Sequence, residues 1–488
     1  MEIPRHRTAL IRNDLSRPLR IALADGLLGD DRTFLDYGCG RGGDVRRLAD
    51  VGIESVGWDP VHAPEGPRRR SSVVNLGYVV NVIERIDERR DTLRQAWTLA
   101  EEVLVVSARL VDERPDRPAS TLEDGVVTRL GTFQKFFEQS ELKAWIDQVL
   151  DVQSVAAAPG VFYVFRRDDA RAGFLASRFR RSGAGPRIGV SERLTLQHRD
   201  LLDALAAFLI ERGRLPMADE LPNHDRLVEA LGSVKRAYRL LVSISDPDGW
   251  EEVRKARAED LLVYFALAKF EGRPRLSELP LDMQRDVKAF FGSYAAACDV
   301  ADDLLFSLGQ PERLAAALAA TPIGKLLPTA LYVHVDAVAE LPVLLRLYEG
   351  CGRAVLGSVD GATLVKLRRD EPKLSYLCYP GFERVAHPPL AESVSMHLQT
   401  FKVRTRRYDQ SANPPILHRK ETFVGSSHPL RSRFERLTRA EEKAGLFADT
   451  ARIGNLSGWR TALDETGVDI IGHRVVRRAA GRSGAREE

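Results

Sequence analysis

Residues 33–44 read TFLDYGCGRGGD and form the most informative stretch of the sequence. The apolar run Thr33–Leu35 predicts a short buried strand, and the spacing from Asp44 to Asp50 predicts a helix directly after the glycines. Glycines between a strand and a helix let the backbone turn tightly and approach a ligand, while the helix N-terminus offers free N–H groups. The stretch therefore predicts a nucleoside-binding turn in an α/β domain.

Predicted strands and helices alternate on both sides of this turn. The apolar runs that predict the other strands are 55–58, 73–76, 103–107 and 161–165. The segments with helical spacing of apolar residues are 18–28, 85–101 and 139–149. Such alternation implies a mostly parallel sheet with helices on both faces. We therefore expect an α/β, Rossmann-like domain over residues 1–167.

The composition of the chain changes after this domain. Residues 168–190 are rich in Arg, Gly and Ser, which predicts a linker. Runs of helical length predict a helical domain over 191–325, and returning strands predict an α+β domain over 326–475. We expect residues 476–488 to form a disordered tail.

Bulk properties exclude several classes of protein. The 488 residues carry 72 basic and 69 acidic side chains for a net charge of +3, so nucleic-acid affinity would need local clustering. The four cysteines lack CxxC spacing and the ten histidines lack HxxxH spacing, so we predict neither a disulfide framework nor a metal site. No signal peptide or membrane-length apolar run is found. We expect a cytoplasmic protein away from membranes.

Charge distinguishes two possible ligands of the glycine turn. Gly38, Gly40 and Gly43 match the dinucleotide pattern GxGxxG, which alone is weak evidence. A pyrophosphate disfavours anions nearby, yet Asp36 precedes the turn and Asp44 follows it, at a cost of about 1–4 kcal/mol per close pair. The same carboxylates suit a ligand that has an ammonium and a sulfonium and no phosphate. The turn therefore predicts S-adenosylmethionine as the cofactor.

Asp59 supports a nucleoside pocket without choosing between those ligands. It ends the second predicted strand 21 residues after Gly38. An acidic residue at about this offset accepts hydrogen bonds from ribose hydroxyls. The residues predicted to bind the cofactor are Asp36, Tyr37, Gly38, Cys39, Gly40, Gly42, Asp44 and Asp59.

The pattern Asp-x-Gly-Cys-Gly-x-Gly, with an acidic residue at the next strand end, resembles class I S-adenosylmethionine-dependent methyltransferases. Further segments resemble the methyltransferases associated with DNA phosphorothioation. These segments are Arg7–Ala9, Leu15–Pro18, Asp36–Gly42, Val74–Tyr78, Asn81–Glu84, Thr132–Lys135, Tyr348–Cys351 and Asn413–Glu421. The resemblance implies S-adenosylmethionine as cofactor and methylation within a DNA modification system. It also implies DNA, and other proteins of such a system, as partners.

Asn75 and Tyr78 are the candidate catalytic residues. They flank Leu76 and Gly77 after the third predicted strand, where amino-methyltransferases of nucleic acids often carry Asn-Pro-Pro-Tyr. There the amide accepts a hydrogen bond from an exocyclic amine and the ring stacks on a flipped base. The two prolines are absent here, and Asn75 could instead cap a helix that begins near Gly77, with Tyr78 packed on the sheet.

Three basic segments leave further roles open. Arginines between Arg166 and Arg181 would either bind phosphates or solvate a linker. A strand through Lys402, Arg404 and Arg406 would put three cations on one face, as phosphate binding needs, although edge strands also carry charge that blocks aggregation. Residues 418–421, HRKE, are of nuclease-like types, and we expect surface charge there.

Three hypotheses about function follow. The leading one is a methyltransferase that acts on nucleic acid, with DNA favoured. The second is a DNA-binding accessory or regulatory protein without catalysis, which uses the cofactor pocket structurally or as a sensor. The third is a nuclease module regulated by the cofactor domain.

Overall fold

The computed structural model describes residues 3–9, 14–29, 31–114, 120–181, 186 and 198–478. The chain forms two compact units. One comprises Met1–Arg167, Leu318–Val338 and Cys351–Glu488, and the other comprises Asp168–Ala317 and Ala339–Gly350. Among the described helices, none is long and apolar enough to cross a membrane.

The N-terminal part of the first unit is an α/β structure. Its described strands are β1 (Phe34–Tyr37), β2 (Ser55–Trp58), β3 (Ser71–Gly77), β4 (Ala100–Ser107), β5 (Ser120–Leu122), β6 (Gly125–Val127), β7 (Phe133–Gln134), β8 (Val155–Ala158) and β9 (Val161–Phe165). Its described helices are α1 (Arg17–Ala24), α2 (Gly43–Asp50), α3 (Ile86–Leu99) and α4 (Gln139–Leu150). The main sheet has the order β2-β1-β3-β4-β9-β8, and β5, β6 and β7 form a small separate sheet.

The main sheet is parallel from β2 to β4, and β9 runs antiparallel to both β4 and β8. Its central strands are almost continuously apolar, and Val103–Val106 of β4 and Val161–Phe165 of β9 are all buried. Strands with no polar face need cover on both sides of the sheet. On one side, Leu93 of α3 and Ile146 of α4 join the same apolar cluster as the strands. The prediction of a Rossmann-like α/β fold is confirmed.

The strand order reverses beside β1. The chain passes from β1 through α2 to β2 on one side of β1, and then returns to place β3 on the other side. Open α/β sheets bind ligands at the carboxyl ends of their strands at such a reversal. Segment 59–70 is too short for another helix and strand and instead folds back on β2. A β-carbon at Gly66 would lie 2.1 Å from the carbonyl oxygen of Gly57.

The second unit is helical in its described residues. Its helices are α5 (Asp168–Arg178), α6 (Arg199–Arg212), α7 (His224–Leu231), α8 (Val234–Ser243), α9 (Pro247–Ala268), α10 (Leu281–Phe291), α11 (Tyr294–Ser307) and most of α12 (Pro311–Ala320). An apolar cluster that includes Leu205, Leu227, Leu241 and Trp250 joins α6 to the helices after it.

The segment predicted as a linker, 168–190, is helical over its first half. Helix α5 opens with two aspartates, which favour a helix N-terminus, and it buries Ala172. Arg181 then forms ion pairs with Glu259 at 2.9 Å and Asp260 at 2.8 Å. Carboxylates of the same unit therefore hold this arginine, which corrects the expectation of a solvated linker. The rest of the segment, apart from one residue, lies outside the described residues.

The C-terminal part of the first unit is built on an antiparallel sheet. Its strands are β10 (Lys325–Leu327), β11 (Ala330–His334), β12 (Leu364–Arg368), β13 (Lys373–Cys378), β14 (Glu392–His397) and β15 (Val403–Arg407), paired in chain order. Helix α13 (Val343–Leu356) is divided between the two units, with its residues up to Gly350 in the second. The elements that follow the sheet in this part are α14 (Arg431–Lys443), α15 (Leu456–Thr466), β16 (Val468–Ile471) and β17 (Arg474–Arg477). The tail predicted at 476–488 begins inside β17, and its residues beyond 478 lie outside the described part of the chain.

Hydrogen bonds join this C-terminal part to the α/β part within the first unit. The N–H of Ser358 donates to the carbonyl of Ala157 at 2.7 Å. The N–H of Thr405 in β15 donates to Oδ2 of Asp112, which follows β4, at 2.8 Å. Residues predicted as two separate domains, 1–167 and 326–475, are thus gathered largely into one compact unit.

Candidate functional site

The loop between β1 and α2 adopts backbone conformations that favour glycine. Gly38, Gly40 and Gly42 have φ angles of +93°, +52° and +69°. A β-carbon at Gly38 would also lie 2.4 Å from Cγ2 of Val79. Glycine is therefore required at this position both for its conformation and for the close approach of the next strand's loop.

A cleft of about 410 Å³, counting the part open to solvent, lies at the carboxyl ends of β1 and β3. This is where the strand order reverses. The residues that line it are Ser16, Asp36, Gly38, Cys39, Gly43, Asp44, Asn75, Gly77 and Tyr78. Two of these described residues carry carboxylates, and none is a lysine, arginine or histidine. The cleft is therefore suited to a cationic ligand and poorly suited to a phosphate.

Asp36 and Asn75 lie directly opposite each other on neighbouring strands. Nδ2 of Asn75 donates to Oδ1 of Asp36 at 2.8 Å, and the two residues are only 2% and 4% exposed, respectively. Oδ1 of Asn75 has no hydrogen-bond partner among the described residues. A buried acceptor without a partner costs about 1–3 kcal/mol. A donor group on a ligand would offset that cost.

Asp44 and Ser16 connect the first turn of α2 to the start of α1. Oδ1 of Asp44 accepts the N–H of Ser16 at 2.8 Å. Ser16 occupies the position before α1 where a serine oxygen normally accepts an N–H from the helix. Its Oγ makes no such bond and has no partner in the described part of the chain. Ser16 thus borders the cleft with a hydroxyl that has no described partner, a feature that the sequence analysis did not single out.

The interpretation of Asn75 as a helix cap is wrong. Asn75 lies inside β3, which continues to Gly77, and the next helix begins only at Ile86. Tyr78 follows β3 with a φ of +59°, a conformation that is rare for residues other than glycine, and its N–H donates to the carbonyl of Ser107 at 2.9 Å. Such backbone strain is concentrated at functional sites. Stacking of the Tyr78 ring on a base stays a prediction.

The side chain of Tyr37 lies in the core rather than in the cleft. Neighbouring residues of a strand face opposite sides, so Tyr37 points away from the side that Asp36 lines. Its hydroxyl donates to Oε1 of Gln95 at 2.8 Å, and its ring packs on Trp58 with the ring centroids 4.8 Å apart. Burial raises the pKa of the Tyr37 hydroxyl, which therefore stays protonated.

Asp59 ties the glycine loop to the end of β2. Its Oδ2 accepts the N–H of Gly40 at 3.1 Å, and its Oδ1 accepts those of Val61 and His62 at 2.9 and 2.8 Å. The carboxylate is not among the groups that line the cleft, so it holds the shape of the loop. Contact between Asp59 and a ribose stays a prediction.

Cys39 lines the cleft as a protonated thiol. Burial, together with the carboxylates of Asp36 and Asp59, raises the pKa of Cys39 to about 12. The thiolate is the nucleophilic form of cysteine, and it is scarce at neutral pH at such a pKa. Cys39 is therefore not an attacking group.

A short turn near the N-terminus lies beside the glycine loop. Its Arg5 bonds the carboxylates of Glu84, at 2.8 Å, and Glu88, and these hydrogen bonds lower the pKa of both carboxyls. Ala9 follows the turn, and a β-carbon at Gly40 would lie 3.2 Å from its Cβ. Ion pairs with the segment after β3 therefore hold this part of the chain against the loop.

Of residues 418–421, which we expected to be surface charge, Lys420 and Glu421 are buried and His418 and Arg419 are half-buried. Lys420 is only 2% exposed, and its Nζ donates to the carbonyls of Phe382 and Val385 at 2.6 and 2.7 Å. Nε2 of His473 lies 3.0 Å from the same nitrogen. Burial lowers the pKa of Lys420 to about 7.

Other titratable groups surround Lys420. Nε2 of His387 lies 2.6 Å from Oε1 of Glu441, which is fully buried, and Oε2 of Glu421 accepts the hydroxyl of Thr438 at 2.9 Å. The Lys420 cluster comprises His387, His418, Lys420, Glu421, Glu441 and His473. Burial puts these side chains out of reach of a polymer, so the nuclease hypothesis has no accessible group here.

No family model and no curated protein matches the chain. Solved structures similar to it include the CcbJ methyltransferase from Streptomyces caelestis, at 17% identity over 30% of this chain and 88% of that chain, with a TM-score of 0.24. Another is the 1,6-didemethyltoxoflavin-N1-methyltransferase of Burkholderia thailandensis with bound S-adenosylhomocysteine, at 14% identity over 33% and 76%, with a TM-score of 0.22.

The magnesium protoporphyrin IX methyltransferase of Synechocystis PCC 6803, with bound SAH, is similar at 12% identity over 33% of this chain and 93% of that chain, with a TM-score of 0.23. Likenesses this low support no inference about the cleft. Membership of the phosphorothioation-associated family stays a prediction.

Proposed function

We propose that the chain is an S-adenosylmethionine-dependent methyltransferase that acts on nucleic acid, with DNA as the favoured acceptor. The observation that carries the proposal is the cleft beside β1, where Asp36 and Asp44 are buried and no lining residue is cationic. A cofactor with phosphates would lose about 1–4 kcal/mol for each close pair with these carboxylates. A ligand with an ammonium and a sulfonium gains interaction energy at the same positions.

The groups in the cleft fit the parts of S-adenosylmethionine. Asp36 and Asp44 offset its positive charges. Oγ of Ser16 and the free N–H groups at the start of α2 suit its carboxylate. The glycine loop permits the close approach that a bound nucleoside requires. When bound, this cofactor supplies a methyl group on a positively charged sulfur.

Asn75 is the residue that we assign to the methyl acceptor. Its Nδ2 is held by Asp36, which fixes the amide plane, and its Oδ1 has no partner among the described residues. An exocyclic amine can donate to this oxygen and so be held in line for attack on the methyl group. Because Cys39 stays protonated, direct transfer to an amine is favoured over a route through a thiolate.

Nucleic acid as the methyl acceptor is supported by the sequence resemblance. The phosphorothioation setting is supported by the resemblance of segments along the chain, and it makes phosphorothioated DNA a substrate to test beside plain DNA.

Calorimetry with S-adenosylmethionine and NADH tests the cofactor. We expect S-adenosylmethionine alone to bind, and we expect Asp44→Asn to weaken binding about tenfold, or about 1.4 kcal/mol. The variant keeps an oxygen that can accept the N–H of Ser16, so the fold is preserved. Asp50→Asn, an exposed position on the same helix, is the matched control and should bind like the wild type. Binding of NADH without S-adenosylmethionine would refute the proposal.

A radiolabelled methyl-transfer assay over plain DNA, phosphorothioated DNA, RNA and protein tests the acceptor. We expect label in DNA, and we expect Asn75→Ala to lose transfer while it retains affinity for the cofactor. If the wild type binds the cofactor and labels no polymer, the accessory or sensor function replaces catalysis.

A further inference from the structure

One face of the C-terminal sheet carries a continuous row of polar side chains. The strand register places one residue from each of the six strands directly opposite the next. These residues, termed the polar row, are Lys325, Tyr332, Lys366, Ser375, Ser395 and Arg404.

The opposite face of the same sheet is apolar. The neighbouring row there includes Leu331, Leu367, Leu374, Met396 and Val403, all of which are buried. Side chains alternate between the two faces of a strand, so burial of this face sets the polar row on the other face. The polar row is therefore a consequence of the fold.

No aspartate or glutamate stands on the polar face of these six strands, every residue of which the structure describes. Lys366 and Arg404 form no ion pair with any described carboxylate, whereas Arg368 on the same face is held by Asp370 at 2.7 Å, in the turn after β12. Lys366 and Arg404 are therefore cations of this face without a close ion-pair partner among the described residues, and the charge of Lys366 acts on Asp370 only at longer range.

Protection of a sheet edge does not account for this charge. Arg404 lies on β15, an edge strand, where cations discourage pairing with other chains. Lys366 lies on β12, in the interior of the sheet, where there is no free edge to protect. Its Nζ sits 5.2 Å from the centre of the Tyr332 ring. Cations therefore occur on this face of the sheet in the interior as well as at the edge.

The spacing of the polar row matches a polyanion. Three strand steps separate Lys366 from Arg404, or about 14 Å. This is the length of about four nucleotides along one strand of B-form DNA. Between the two cations, the hydroxyls of Ser375 and Ser395 lie 2.9 Å apart and are hydrogen-bonded to each other. Because Ser375 is buried and can donate to Ser395, the hydroxyl of Ser395 is the one that can donate to a phosphate oxygen.

Strand β15 is attached near the cofactor cleft. Its Thr405 N–H is bonded to Asp112, five residues after Ser107 at the carboxyl end of β4. The carbonyl of Ser107 in turn accepts the N–H of Tyr78, which lines the cleft. The polar row thus ends on a strand held at the same edge of the main sheet as the cleft.

We infer that the polar face of the C-terminal sheet binds the sugar-phosphate backbone of the nucleic acid that is methylated. The inference rests on the proposed function for the identity of the polymer. Lys366 and Arg404 supply the charge, and the hydroxyl of Ser395 supplies a hydrogen bond. Contacts of this kind position a strand without reading its sequence.

Fluorescence anisotropy with labelled single-stranded DNA, duplex DNA and RNA tests this surface in the full chain. The variant is Lys366→Glu/Arg404→Glu, and its control is Lys288→Glu/Arg460→Glu, two exposed cations without ion pairs among the described residues and with the same change in charge. We expect the variant to bind at least about tenfold more weakly and to lose about 2 from the slope of log K against log salt. The control should bind like the wild type.

Two results would overturn the inference. One is equal weakening in variant and control, and the other is a wild type that binds anionic phospholipid vesicles through these residues and no nucleic acid. Melting curves of both variants establish that they are folded. Transfer to DNA by the wild type, measured separately, distinguishes the two proposals. If the wild type methylates DNA and the variant binds DNA as tightly as the wild type, only the inference about this surface is refuted. If binding depends on this surface and the wild type methylates no DNA, only the proposed function is refuted.

Discussion

The cofactor cleft and the Lys420 cluster both hold buried titratable side chains. They differ in how many hydrogen-bond partners the chain supplies to those side chains. In the cluster, the chain itself supplies acceptors for Nζ of Lys420, from Phe382, Val385 and His473. In the cleft, Asp44 has only the N–H of Ser16 as a described hydrogen-bond partner.

The difference separates structural charge from functional charge. A buried charge that finds its partners within the chain stabilises one packing arrangement. A buried charge with space beside it and few partners favours a ligand of the opposite sign. We therefore expect changes in the cluster to alter folding, and changes in the cleft to alter binding.

The largest expected effect comes from Lys420→Met. The substitution leaves the buried carbonyl of Phe382 without a donor, at about 1–3 kcal/mol, and it also removes the part-buried hydrogen bond to the carbonyl of Val385. We expect the free energy of unfolding in urea to fall by about 3 kcal/mol, with unchanged cofactor affinity in the folded protein. Lys443→Met, at the exposed end of α14, is the control and should leave stability unchanged. If Lys420→Met has the stability of the wild type but binds the cofactor more weakly, the distinction between structural and functional charge is wrong.

The next effect is a loss of stability in acid. Burial lowers the pKa of His418 to about 3, whereas an unfolded histidine titrates near about 6.5. Between these values the unfolded chain binds the extra proton, so this stability is complete above about pH 6.5 and is lost as the pH falls toward 3. One such group contributes about 1.4 kcal/mol per pH unit, or about 2 kcal/mol between pH 6.5 and 5.

Urea denaturation at several pH values measures this loss. His418→Gln should reduce the slope of the profile, and His473, whose pKa burial lowers to about 4, should retain part of it. Equal pH dependence in wild type and variant would show that His418 is not the cause.

A smaller effect is expected for Gly38→Ala. The left-handed backbone at Gly38 costs an alanine about 1–2 kcal/mol, and its β-carbon would press on Val79 at the cleft. Gly52→Ala is the matched control, since Gly52 has a φ of +89° and nothing within 4 Å of a β-carbon. We expect both variants to lose stability and only Gly38→Ala to weaken cofactor binding in calorimetry. Equal cofactor affinity in the two would argue against the glycine loop as the binding element.

The smallest effect is expected for Cys39→Ser. Since burial and two carboxylates keep the thiol protonated, we expect methyl transfer to stay within about twofold and alkylation of Cys39 at pH 8 to be slow. Mass spectrometry after iodoacetamide treatment measures the alkylation. Rapid alkylation of Cys39 in the wild type would contradict this prediction. So would a loss of methyl transfer in Cys39→Ser with intact cofactor binding, because either result would indicate that the thiol takes part in the reaction.

Much of the α/β fold could be predicted from the local spacing of apolar residues. The contacts between side chains that are distant in the sequence could not be predicted in this way. Predicted strands at 55–58 and 161–165 coincide with β2 and β9. The expectation of surface charge at 418–421 is wrong, because burial of Lys420 requires acceptors that lie more than 30 residues away along the chain. The helix at the start of 168–190 was likewise hidden by a composition typical of linkers.

The sequence alone determined the strand–turn–helix at residues 33–50, the glycines in left-handed conformations and the two aspartates that favour a cationic ligand. These features depend on a residue and its near neighbours, through backbone sterics and the periodicities of strand and helix. Tertiary structure alone decided that Ser16 would present its hydroxyl to the cleft, that Asn75 would be held by Asp36, and that Lys366 and Arg404 would share a row. Such pairings depend on strand order and register, which follow from burial of apolar faces over the whole chain.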